Sequence, residues 1–229
     1  MHEIRIWDLP LRLFHWMLAL AVTGAMISGQ IGGNLMIWHG RLGILIAGLL
    51  GFRLAWGLVG STHARFASFV RGPGAILAYL RGEWRGLGHN PLGALSVLGM
   101  LTALGLQTAG GLFGNDDIAF QGPLYALVSK DTSDWLSGLH RKGFWLILLL
   151  VLTHLGAIVF YLRVHRDNLV RPMITGRKAV ANPDGLAQAQ GGGIAALILA
   201  IGIGVGTGFA ASGAWQPPPP PEPAAAPAW

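Results

Sequence analysis

The chain has 229 residues, of which 52% are hydrophobic and only 11% are charged, and its mean hydropathy is +0.52. Soluble domains carry about 25% charged residues, so this composition excludes an ordinary soluble protein and predicts residence in a membrane. The net charge is +6, but the basic residues stand beside apolar segments, which favours an orienting role over nucleic-acid binding. The chain contains no cysteine, which excludes disulfides, thiolate metal sites and covalently attached c-type haem.

Five apolar stretches are long enough to cross a membrane, at about 20 residues per helix. We predict transmembrane helices over residues 11–28, 35–59, 91–112, 135–162 and 193–212. The first is interpreted as an uncleaved helix, because Asp8, Pro10 and Arg12 interrupt its start and no clear cleavage site follows it. Residues 179–192 are interpreted as a linker, and the proline-rich residues 213–229 as an extended tail.

The distribution of lysine and arginine predicts the orientation of the chain. If the helices alternate in direction, most of the 16 basic residues fall on the side of the N-terminus, here called the near side: Arg5, Arg12, Arg53, Arg65, Arg71, Arg81, Arg85, Arg163, Arg166, Arg171, Arg177 and Lys178. The others fall on the opposite, far side: Arg41, Lys130, Arg141 and Lys142. Because positive residues concentrate on the cytoplasmic side, we expect a bacterial inner-membrane protein with a cytoplasmic N-terminus and a periplasmic tail.

Histidines are the ionisable residues that stand out in the predicted helices. Four of the eight fall within or at the edges of the spans: His15, His39, His140 and His154. Such groups are costly in a membrane, so each requires a reason. His140 and His154 are 14 residues apart, which places them about 21 Å apart along one helix and on nearly the same face. The remaining four fall in loops, where polar residues are ordinary: His2, His63, His89 and His165.

Depth in the membrane sorts these histidines into two pairs. His15 and His154 lie toward the near side, whereas His39 and His140 lie toward the far side. Two histidines at matched depth suit the axial ligands of a haem, so the sequence predicts two haems, one in each leaflet. Bis-imidazole ligation leaves iron without an open site, which favours single-electron transfer. Packing between helices is the simpler explanation for any one of these histidines, but not for a depth-matched set of four.

Cationic side chains flank both predicted pairs. A haem carries anionic propionates, which require cations near the membrane surface. The candidates on the near side are Arg12, Arg53 and Arg163, and those on the far side are Arg41, Arg141 and Lys142. Ordinary anchoring at the membrane interface explains the same residues equally well.

Several motifs occur in order along the first 178 residues: IRIWDLPLRLFHW, WHGRLG, GHNPLGALSVLGML and GLHRKGFWLILLLVLTHLGA. Together they resemble the bacterial cytochrome b561 family, which includes the b-type cytochrome subunits of nickel–iron hydrogenases and is related to the cytochrome subunit of formate dehydrogenase. The resemblance implies that residues 1–178 form an all-α, four-helix transmembrane bundle holding two b haems. By motif position, the family's axial ligands correspond to His15, His39, His140 and His154. The fifth helix and the tail lie outside this pattern.

The resemblance also implies a quinone site beside the near-side haem. In the formate dehydrogenase relative, an asparagine at the start of the third helix lines that site. Asn90 occupies the matching position here, with His89 beside it. Asn90 has a simpler interpretation as the N-cap of the third helix.

The leading functional hypothesis is an electron-transfer subunit of a larger oxidoreductase, linking a periplasmic redox protein to membrane quinone. The redox protein would be a dehydrogenase or hydrogenase subunit, or a c-type cytochrome that receives electrons from quinol. The far-side loop is a candidate docking surface, with Asp116, Asp117, Asp131 and Asp134. Two glycine pairs on the fifth helix, Gly202 with Gly206 and Gly204 with Gly208, indicate close packing against the rest of the chain, a partner or another copy.

Three other classes compete with this hypothesis. Ferric reductases and bc-type cytochromes typically carry two histidines on each of two helices, whereas here only the fourth helix carries two. A metal-ion transporter would recruit buried carboxylates, but all ten acidic residues fall outside or at the edges of the spans. A simple membrane anchor would leave the four histidines without a purpose.

Overall fold

A computed structural model of the chain describes residues 2–84, 88–180 and 188–217. The elements in chain order are β1 (His2–Arg5), α1 (Leu9–Ile31), α2 (Met36–Val59), α3 (Phe66–Phe69), α4 (Pro73–Leu80), α5 (Pro91–Leu112), α6 (Lys130–Arg163), α7 (Val170–Thr175), β2 (Arg177–Val180) and α8 (Ile194–Ser212). Helices α1, α2, α5, α6 and α8 are long and apolar enough to cross a membrane, and they match the five predicted spans. Most of the predicted linker and tail lies outside the described residues.

Local capping explains where the helices differ from their predicted bounds. The Asp8 carboxylate accepts a hydrogen bond of 2.6 Å from the backbone N–H of Leu11, so α1 begins earlier than residue 11. The Ser129 hydroxyl accepts one of 3.3 Å from the Thr132 N–H, so α6 begins earlier than residue 135. With 34 residues, α6 is about 50 Å long, which exceeds the roughly 30 Å hydrocarbon core of a bilayer.

A small antiparallel sheet, which the sequence did not predict, joins the two ends of the first 180 residues. In it, β1 pairs with β2 so that His2 lies opposite Val180 and Arg5 opposite Arg177. Glu3 on β1 lies 3.5 Å from the guanidinium of Arg177. The sheet therefore fixes the N-terminus beside the segment that follows α6.

The buried carboxylate of Asp8 links the start of α1 to the end of α2. Asp8 is only 5% exposed. Besides capping α1, it accepts a hydrogen bond of 3.0 Å from the Trp56 indole N–H and another from the Ser61 hydroxyl. Ser61 in turn forms a β-bridge with Gly191, just before α8. The starts of α1 and α8 and the end of α2 thus meet at one end of the molecule.

Helix α8 packs against α2 through glycines. A Cβ atom on Gly48 would lie 3.0 Å from the carbonyl oxygen of Gly204, so only glycine allows the two backbones this approach. Thr207 packs in the same way against Gly51. One of the two predicted glycine faces of α8 is therefore used within the chain.

The outer surfaces of the long helices are apolar. Leu20 on α1 is 74% exposed, Leu106 on α5 is 71% exposed and Trp145 on α6 is 68% exposed. Large apolar side chains exposed over whole helices suit contact with lipid rather than water. Helix α2 contacts α1 and α5, and α5 contacts α6, so the inward faces of these four helices surround the predicted histidine positions.

Candidate functional site

The four intramembrane histidines lie in two facing pairs. The rings of His15 on α1 and His154 on α6 have centroids 6.4 Å apart, with an angle of 52° between their planes. The rings of His39 on α2 and His140 on α6 have centroids 5.8 Å apart, at 88°. We call these the near pair and the far pair. The structure therefore brings together the same partners that depth in the membrane predicted.

The separation within each pair is that of two ligands on one metal ion. A metal–imidazole nitrogen bond measures about 2 Å and the nitrogen lies about 1 Å from the ring centroid, so two rings on opposite sides of one ion have centroids about 6 Å apart. The observed separations of 6.4 and 5.8 Å bracket this value. Each pair can therefore accept a metal ion between its rings with little rearrangement.

Backbone carbonyls orient both rings of the far pair. The Nδ1 atom of His39 lies 2.8 Å from the carbonyl oxygen of Ala25 on α1. The Nδ1 atom of His140 lies 2.8 Å from the carbonyl oxygen of Gln107 on α5. The Gln107 side-chain amide also donates a hydrogen bond of 2.9 Å to the His140 carbonyl. With the proton held on Nδ1, Nε2 is the nitrogen available to a metal.

Two glycines make room for these rings. A Cβ atom on Gly29 would lie 2.8 Å from Nδ1 of His39, and one on Gly111 would lie 2.8 Å from Cε1 of His140. Both distances are too short for any larger residue without displacing the ring. Sequence reasoning did not single out Gly29, Gly111 or Gln107. Gly29 follows His15 on α1 at the 14-residue interval that separates the two histidines of α6, which was an available signal.

A cavity of about 540 Å³ adjoins the far pair. Its wall includes His39, His140, Gly40, Gly43 and Phe120, and most of it is apolar. Cavities of this size and character are typical of sites for small molecules and cofactors. Gly40 faces the Phe120 ring, at 3.2 Å from a Cβ position, so the small residue preserves the fit of the loop after α5.

The predicted cations divide into exposed and buried groups. Arg41, Arg141, Lys142 and Arg163 are exposed, and Arg141 lines the far cavity. Arg12 is half-buried, and its Nε has no hydrogen-bond partner among the described residues.

Arg53 differs from the other cations because it is only 2% exposed. Its guanidinium lies 4.6 Å above the centre of the Phe66 ring, and one of its terminal nitrogens has no partner among the described residues. A buried cation without a full set of acceptors is costly, so this arginine has a role beyond anchoring at the membrane surface.

The structure separates the two residues of the predicted quinone site. Asn90 caps α5, because its side-chain oxygen accepts a hydrogen bond of 2.7 Å from the Gly93 N–H. Its amide donates one of 2.6 Å to the Tyr161 hydroxyl. Asn90 thus has the capping role that was the simpler interpretation.

His89 faces in another direction, toward aromatic rings. Its ring centroid lies 4.7 Å from those of Trp7 and Phe69. Burial, helped by the charge of Arg53, lowers the pKa of His89 to about 3. His89 is therefore neutral at physiological pH, and its buried Nδ1 has no hydrogen-bond partner among the described residues.

The acidic far-side loop is largely engaged within the chain. The Asp116 carboxylate accepts hydrogen bonds from the backbone N–H groups of residues 118–120, which lower its pKa. Asp117 and Asp134 lie 2.7 and 2.9 Å from the ammonium group of Lys130. Asp131 lies in the first turn of α6. These contacts give three of the four aspartates a structural role.

Apolar helices that hold histidines in facing pairs define a class: integral-membrane cytochromes of the b type. The family model for prokaryotic cytochrome b561 matches residues 6–176, and the chain belongs to that family. It is thus a membrane-bound b-type cytochrome, with haem b as its cofactor and electron transport as its function. The match ends before α8, so the fifth helix lies outside the family's shared region.

Several relatives carry the name "Probable Ni/Fe-hydrogenase B-type cytochrome subunit". The protein of Rhizobium leguminosarum bv. viciae is 24% identical over 212 residues, covering 77% of this chain and 89% of the relative. That of Azotobacter vinelandii is 26% identical over 217 residues, covering 76% and 87%. That of Cupriavidus necator is 27% identical over 214 residues, covering 75% and 85%. No solved structure gives a significant match.

Proposed function

We propose that the chain carries electrons across the membrane through two b haems, one held by His15 and His154 and the other by His39 and His140. The observation that carries the proposal is the presence of two facing pairs, with ring centroids 6.4 and 5.8 Å apart. The members of each pair on α6 are 14 residues apart, so the two sites are separated by about 21 Å along that helix. Two such sites in series span most of a 30 Å hydrocarbon core.

The residues around the far pair fit a haem on several observations. Ala25 and Gln107 accept the Nδ1 protons of the two histidines, which leaves each Nε2 free for the metal. Gly29 and Gly111 give the rings their positions, and the apolar cavity of about 540 Å³ lies beside them. Bound haem supplies a one-electron couple, and two imidazole ligands restrict it to that chemistry because they leave no open site.

Cations near each pair would hold the anionic propionates. On the far side, Arg141 is favoured because it lines the cavity, and Arg41 and Lys142 are its exposed neighbours in sequence to His39 and His140. On the near side, Arg12 has a buried nitrogen without a partner, three residues before His15. A carboxylate would give that nitrogen its missing acceptor.

We propose that the redox partner binds on the far, periplasmic side and is a hydrogenase or a related dehydrogenase subunit. The names of the relatives support this choice, since they are described as cytochrome subunits of Ni/Fe hydrogenase. Electrons would then pass from the far pair to the near pair and on to quinone at the cytoplasmic side. The alternative is transfer from quinol to a periplasmic c-type cytochrome in the reverse direction. The distribution of basic residues supports the bacterial inner membrane and a cytoplasmic N-terminus.

A quinone site near the near pair is part of this proposal. His89 supports it most directly, because it is neutral, lacks a partner on Nδ1 and interacts electrostatically with both His15 and His154. Asn90 contributes less, since its oxygen already caps α5. The amide of Asn90 and the hydroxyls of Tyr79 and Tyr161 form a hydrogen-bonded group beside it.

Electron transfer across a sealed membrane tests the proposed function. We expect vesicles containing the haem-loaded protein to reduce trapped ferricyanide when a membrane-impermeant reductant is added outside. His140→Ala should abolish this reaction, because the far haem loses a ligand. His165→Ala is the matched control on the same part of the chain, since His165 belongs to neither pair and should leave the rate unchanged. Equal rates in wild type, His140→Ala and protein-free vesicles would contradict the proposal.

A further inference from the structure

The two histidine pairs differ in the hydrogen bonding of their rings. Both Nδ1 atoms of the far pair lie 2.8 Å from a backbone carbonyl oxygen, that of Ala25 for His39 and that of Gln107 for His140. In the near pair, the Nδ1 atom of His15 is buried and has no hydrogen-bond partner among the described residues. The far rings are therefore bonded on the side away from the metal, whereas the His15 ring is not.

This difference affects how strongly each ring donates electrons to a metal. An imidazole whose second N–H is bonded to a carbonyl is a more basic ligand. A more basic ligand stabilises the more highly charged, oxidised iron, and hydrogen bonding around the ligands is one of the means by which a protein sets a haem potential. On this ground the far pair favours ferric iron more than the near pair does.

A buried charge acts in the same direction at the near pair. Arg53 is 2% exposed, and it interacts with His89, which also interacts with His15 and His154. Its positive charge therefore lies in the neighbourhood of the near pair, where low polarity leaves it poorly screened. A nearby cation favours the reduced, less positive iron. The cations of the far side are exposed and therefore better screened by water and salt.

We infer that the carbonyls of Ala25 and Gln107 tune the far pair, so that the haem held there has the lower midpoint potential of the two. The inference rests on the proposed function and adds an energetic order to its two sites. That order favours electrons passing from the far pair to the near pair. Gly29 and Gly111 are positioning residues for this tuning, because each lets a ring approach its carbonyl.

Potentiometric titration of the haem-loaded protein tests this inference, with the two steps assigned by single-ligand variants. We expect the step that disappears in His140→Ala to have the lower midpoint potential. Gly111→Ala should shift that step to a higher potential, since its Cβ would lie 2.8 Å from Cε1 and 3.1 Å from Nδ1 of His140 and would move the ring off the Gln107 carbonyl. Gly29→Ala should do the same through His39. The other step should stay in place.

Gly110→Ala is the matched control, because its Cβ would make only ordinary contacts of 3.7 Å with His140 and Leu136. A far step equal to or higher than the near step would overturn the inference, as would unchanged potentials in both Gly111→Ala and Gly29→Ala. If these variants fail to bind the far haem, the order of the two wild-type steps decides. Fewer than two titrating haems would instead refute the proposed function, so the two failures are distinguishable.

Discussion

The double variant His39→Ala/His140→Ala is expected to retain one b haem per chain, whereas His15→Ala/His140→Ala should retain none. The first variant removes both ligands of one proposed haem and leaves the other pair intact. The second removes one ligand from each pair. Since the two variants each replace two intramembrane histidines by alanine, they are matched for loss of polarity and volume. Their difference therefore reports the pairing itself.

Haem content per chain, measured by the pyridine haemochrome after purification in detergent, distinguishes the two variants. His15→Ala/His154→Ala should behave like the first variant, because it also removes one complete pair. His39→Ala/His154→Ala should behave like the second. Equal haem content in all four double variants would show that the ligands are not paired as the ring distances of 6.4 and 5.8 Å indicate.

Asp8→Ala is expected to destabilise the protein by about 3–5 kcal/mol, because it leaves buried donors without their charged acceptor. Asp8 accepts hydrogen bonds from the Leu11 N–H, the Trp56 indole and the Ser61 hydroxyl while only 5% exposed. For a chain of this length, about 2–4 °C of melting temperature corresponds to each kcal/mol, so the melting temperature should fall by roughly 10 °C. Thermal unfolding of the detergent-solubilised protein measures the effect.

Asp131→Ala is the matched control for this variant. Asp131 is an exposed aspartate in the first turn of α6, so its removal loses only a favourable interaction with the helix dipole, worth about 0.3–1 kcal/mol. Its melting temperature should fall by no more than about 4 °C. Similar losses in the two variants would mean that the Asp8 cluster is not a significant source of stability.

The long helices could be predicted from sequence because each is a continuous apolar run of sufficient length. Their ends could not, since they depend on single side chains. Asp8 interrupts the apolar run in the sequence, yet in the fold it caps α1 and joins it to Trp56 and Ser61. The pairing of β1 with β2 was also missed, because strands of four residues carry no lasting alternation and their contacts join residues more than 170 positions apart.

The histidine pairs were accessible to sequence reasoning because helix rise and alternating topology fix the depth of each residue. The groups that orient the rings were not, since the acceptors for His39 and His140 are backbone carbonyls, which every residue possesses. Only their neighbours leave a trace in the sequence, as glycines at positions 29 and 111 where a Cβ would meet a ring. A glycine near a histidine becomes informative once the facing helix is known.

The number of haems bound per chain tests the central claim most directly. We would purify the full chain in detergent, quantify haem against protein, and record the spectra of the oxidised and dithionite-reduced states. The two facing histidine pairs predict two low-spin b haems per chain, with no haem that binds carbon monoxide, because both axial positions of each iron are filled. A single haem per chain, or a haem that binds carbon monoxide in the intact protein, would contradict it.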